Sequence, residues 1–74
     1  MNKEAEYERI KARILELTTQ RIRAEVDVEA NKDEEKTPAL ERKVLDLEEQ
    51  IKYNFKSMNN LFARMTPEEI RSLN

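Results

Sequence analysis

Apolar residues in this chain recur at alternating steps of four and three, the rhythm of a single helical face. In the second half the row reads Leu40, Val44, Leu47, Ile51, Asn54, Met58, Leu61 and Met65, interrupted only by the asparagine. In the first half, Tyr7, Ile10, Ile14, Leu17, Arg21, Ala24 and Val28 keep the same rhythm. Each row is a coiled-coil seam, so the pattern predicts two long helices, over about 3–30 and 38–65. The wholly polar "NKDEEK" between them predicts a turn over 31–37. Thr37 is placed to cap the second helix, with Pro38 at its first position, where a missing N–H costs nothing.

Folding the second helix back on the first matches Tyr7 with Leu61, Ile10 with Met58, Ile14 with Asn54 and Leu17 with Ile51. The same register continues with Arg21 against Leu47, Ala24 against Val44 and Val28 against Leu40. Every a position then faces a d position, as an antiparallel pair requires. Asn54 trades stability for a fixed register or oligomer state, and Arg21 is expected to snorkel outward toward Glu25. A third start lies in "MTPEEI". Thr66 and Glu69 form a capping box, Met65 and Ile70 a hydrophobic staple, and a short helix is expected over 67–73.

The first helix carries a second apolar row, again in steps of three and four: Ala12, Leu15, Thr19, Ile22 and Val26. A lone hairpin would leave this row facing water. Burying each large aliphatic side chain is worth about 1.5–3 kcal/mol. The expected architecture is therefore an all-α, antiparallel coiled-coil hairpin that assembles as a helical-bundle homo-oligomer, with a four-helix homodimer as the simplest form.

Composition narrows the chemistry. The chain of 74 residues is 41% charged and has no cysteine, histidine or glycine. A single domain of this size is marginal on its own, and self-association is the reinforcement left once disulfides and zinc are excluded. No cofactor or metal is expected, and no catalytic residues stand out. The Gly-rich phosphate loop is excluded as well. No apolar run is long enough to span a bilayer or form a signal peptide, so a cytoplasmic protein without membrane contact is expected.

One window departs from the rest. "IKYNFKSMNNLFARM", residues 51–65, holds no acid, yet contains Tyr53, Phe55 and Phe62 together with Met58 and Met65. The phenylalanines and methionines are expected to be core. Tyr53, Lys56, Asn59, Asn60 and Arg64 point elsewhere and form the expected face for a protein partner, whose identity the sequence does not supply. The alternative is an RNA- or DNA-binding hairpin dimer that uses Lys52, Tyr53, Lys56 and Arg64. Net charge of −2 argues against it, as do acids and bases interleaved along residues 1–30. Arg21 and Lys32, with Ala24 and Val28 between them, loosely resemble the first helix of the all-helical chorismate mutases. The family's earlier arginine, its later acidic and glutamine positions and its third long helix have no counterpart here. The expectation is accordingly a non-enzymatic interaction module.

Overall fold

The computed structural model describes residues 2–73, which form three helices: α1 (Lys3–Ala30), α2 (Thr37–Ala63) and α3 (Pro67–Arg71). α1 and α2 lie side by side as an antiparallel hairpin, and the molecule measures 52 × 18 × 18 Å. Its radius of gyration is 16.3 Å, where a compact chain of this length would have about 11 Å. A rod of this kind has little interior. The buried residues are Ile10, Leu17 and Ala24 on α1 and Leu47, Ile51, Met58 and Leu61 on α2. All seven belong to the two predicted seams.

The core divides in two. Leu17, Ala24, Leu47 and Ile51 cluster toward the turn, with Val44 packed against them. Ile10, Met58 and Leu61 cluster toward the open end, with Tyr7, Ile14, Phe62 and Met65 around them. The division falls where the sequence opposes Ile14 to Asn54. The Asn54 amide donates to the Gln50 carbonyl of its own helix, at 2.8 Å. Its hydrogen bond therefore does not cross the hairpin, and register is set by the apolar layers on either side. Arg21 reaches toward Glu25 as expected, its Nε 3.6 Å from that carboxylate, but the Nε itself is buried and makes no hydrogen bond.

The turn corrects one expectation. Thr37 is the first residue of α2, and the cap position belongs to Lys36, which makes no side-chain capping bond. Capping is supplied one turn earlier. The Asp33 carboxylate accepts from the Glu35 N–H at 3.0 Å, and the Lys36 N–H donates to the Asp33 carbonyl at 3.1 Å. The Thr37 hydroxyl donates back to that carbonyl and accepts from the Asn31 amide at 3.0 Å. Asn31 ends α1 in an extended conformation, so the chain reverses with no positive φ among the described residues. A chain without glycine can make this turn.

α2 ends at Ala63 and α3 at Arg71, each two residues earlier than the sequence pattern suggested. The capping box is present in full: the Glu69 N–H donates to the Thr66 hydroxyl, and the Thr66 N–H donates to Glu69 Oε1 at 2.9 Å. Met65 joins the open-end cluster, whereas Ile70, expected as its staple partner, is 41% exposed. Lys3 ties this end of the molecule together. Its ammonium donates to the Arg64 carbonyl at 2.8 Å and to Glu69 at 3.2 Å. A cation at the C-terminus of α2 also meets the negative end of that helix's dipole.

Glu69 is the group whose titration responds to this arrangement. The Thr66 backbone hydrogen bond, followed by Lys3, holds its carboxyl below the ordinary value of 4.5. The folded value lies beneath the unfolded one. The contribution to stability is thus complete above that ordinary value and disappears as pH falls through the folded value. Acidification is expected to release α3 before the hairpin melts. Methyl NMR shifts of Ile70 and Leu73 should move first in the wild type and lose that response in Glu69→Gln. Shifts that move only with loss of helical circular dichroism would contradict this.

Candidate interaction surfaces

The second apolar row lies on the outside of α1. At about 100° per residue, Ala12, Leu15, Thr19, Ile22 and Val26 all fall within roughly 40° of the direction opposite Leu17. Leu17 is 1% exposed, whereas Leu15 is 61%, Ile22 53% and Val26 56% exposed; Ala12 and Thr19 are exposed as well. Leu17 faces α2, so this row faces directly away from it. The Thr19 hydroxyl donates to the Leu15 carbonyl at 3.0 Å, which satisfies its donor within the helix. The row thus presents methyl groups and no unmet hydroxyl donor.

The outer side of α2 carries the other predicted face. Tyr53 is 70% exposed, and Lys56, Asn59 and Asn60 are exposed with it. Arg64 differs. Its guanidinium reaches across the hairpin to Glu6 at 3.0 Å, where the Glu6 side chain is only 19% exposed. Arg64 therefore already helps to close the open end. Helical arithmetic places Lys56 directly opposite the α1 side of α2, with Asn60 and Tyr53 to one side of it and Asn59 to the other. The structure does not bring the two candidate faces together. They occupy opposite edges of the rod, so one can be covered while the other stays free.

Two residues alter the sequence reading. Phe55, expected in the core, is 52% exposed. It sits one position past the seam residue Asn54, and a two-helix pair has no third helix on that side to cover it. Phe62, seven residues later, escapes this because Tyr7 stands beside it, with ring centroids 6.0 Å apart. Lys11 in turn lies over the Tyr7 ring at 5.7 Å. Leu45 belongs to neither seam and is 55% exposed. It borders an open groove of about 410 Å³ with Val28 and Val44, ringed by Glu25, Glu29 and Glu41. No apolar periodicity marked Leu45; the available signal was that its neighbours three and four positions away, Glu41, Arg42, Glu48 and Glu49, are all charged.

Among the described residues, no helix is long and apolar enough to cross a membrane, and no group of His, Cys, Asp or Glu is placed to hold a metal ion. No family model, curated protein or solved structure matches this chain.

Proposed function

We propose that this protein is a non-enzymatic interaction module, a hairpin that pairs with a second copy through the outside of α1 and offers the outside of α2 to a protein partner. The apolar row on α1 carries this reading. Leu15, Ile22 and Val26 are each more than half exposed on a rod whose own core is thin. Isolated exposed aliphatics are ordinary on protein surfaces. A row at strict helical spacing along one face is a seam that lacks its other half.

The α2 face suits a protein partner better than nucleic acid. A large exposed tyrosine among amides, with Lys52 and Lys56 beside it, matches the composition of protein interfaces, where aromatic residues are enriched. Nucleic-acid binding rests on several cations that neutralise phosphates, and here Arg64 is engaged with Glu6. The test is capture of host proteins on immobilised wild-type protein and on a Tyr53→Ala/Lys56→Glu/Asn60→Ala variant. Helical content and self-association should be unchanged in the variant, while a stoichiometric partner bound by the wild type should be lost. Equal recovery of that partner by both proteins would refute the assignment of this face.

A further inference from the structure

The geometry points to an antiparallel arrangement of the two copies, with α1 packed on α1 and the four helices in one flat layer, α2–α1–α1–α2. This inference rests on the proposed self-association and specifies how it is built. Because the exposed row faces directly away from α2, α1 is sandwiched between α2 and the second copy. A square bundle would instead need two contact faces about a quarter-turn apart on each helix.

The residues on and beside the row choose the direction. In the antiparallel register that matches a positions with d positions, Leu15 packs on the second copy's Val26, and Thr19 packs on its Ile22. Symmetry repeats both layers, so all the large side chains of the row are used. The flanking charges then complement one another. Glu16 lies beside Arg23 of the second copy on one side of the seam, and Lys11 lies beside its Glu29 on the other. Glu16, Arg23 and Glu29 are all exposed; Glu16 meets Arg13 of its own helix at 3.1 Å, an exposed pair that Arg23 of the second copy can join or replace. Ala12 faces the second copy's Glu29, and Glu8 falls beyond the end of its α1, which stops at Ala30.

A parallel arrangement reads differently. Glu8 and Glu29 continue the row at its two ends, so parallel copies would press Glu8 against Glu8 and Glu29 against Glu29. Like charges juxtaposed in this way are destabilising. The Lys11–Glu16 contact that a parallel pair would gain does not remove those two clashes.

The absence of native cysteine makes the arrangement directly readable. Leu15→Cys and Val26→Cys proteins would be prepared separately, then equilibrated alone and as a mixture in a glutathione redox buffer. Antiparallel pairing places position 15 beside position 26 of the second copy. It holds the two positions 15 about 16 Å apart along the axis, beyond the reach of a disulfide, which fails above about 7 Å between Cα atoms. A disulfide-linked dimer is therefore expected in the mixture and in neither variant alone. Cross-linking of Leu15→Cys with itself, or of Val26→Cys with itself, would overturn the antiparallel register. So would a mixture that stays uncross-linked while the wild type sediments as a dimer. Monomeric wild type would instead overturn the self-association on which the register depends.

Discussion

Leu15→Glu/Ile22→Glu is expected to dissociate the protein into monomers that keep their helical content. Each substitution removes an aliphatic side chain whose burial is worth about 1.5–3 kcal/mol, and a twofold interface loses each of them twice. The introduced carboxylates must also be desolvated if the copies are to meet. Together these effects raise the dissociation constant by at least about a thousandfold, since each factor of ten corresponds to about 1.4 kcal/mol. The hairpin's own core is untouched, because both side chains are more than half exposed within it, so the monomer loses only the stability that pairing adds. Far-UV circular dichroism should stay close to wild type, and the melting temperature should cease to depend on concentration. A double variant that still sediments like the wild type would remove the α1 face from the account.

The second large effect lies inside the rod. Leu61 is fully buried and anchors the open-end cluster with Ile10 and Met58. Leu61→Ala should cost about 2–5 kcal/mol, a large share of the roughly 5–15 kcal/mol that typical domains possess. We expect a strongly lowered denaturation midpoint, with fraying concentrated in the Tyr7, Phe62 and Met65 region. Phe55→Ala, half-exposed on the same helix, should produce a much smaller loss. Comparable midpoints for the two variants would mean that Phe55 is covered, and so would point to a contact on that edge of the rod.

These two variants also mark what the sequence made legible and what it did not. The seams were legible because a rhythm of three and four has one structural meaning over many turns. All seven buried residues come from it. The capping box was legible because Thr66 and Glu69 act locally. Thr37 was misplaced for the opposite reason. A threonine before a proline is a good cap in isolation, but Asp33 upstream had already started the turn, and local pattern does not rank two neighbouring candidates. Phe55 was misplaced because an apolar residue at a seam's edge is buried only if something stands beside it, which is a property of the partner helix. Tyr7 supplies that neighbour for Phe62; Phe55 has no such aromatic beside it. Arg64 was assigned to the partner face because its ion pair with Glu6 joins residues far apart in the chain. Pairings of that kind depend on the fold.

The α1 face was the more legible of the two candidate surfaces for the same cause. It is a periodic signal and survived placement in three dimensions with every member exposed. The α2 face was assembled from residue types, and one member proved to be engaged within the molecule.

Sedimentation equilibrium of the wild-type chain over a wide concentration range decides whether the outer face of α1 pairs with a second copy. A reversible species at twice the 8.8 kDa chain mass is expected, with helical content unchanged as it forms. A single species at the chain mass throughout, even at the highest concentrations, would show that the outer face of α1 is stable in water and that the hairpin does not self-associate.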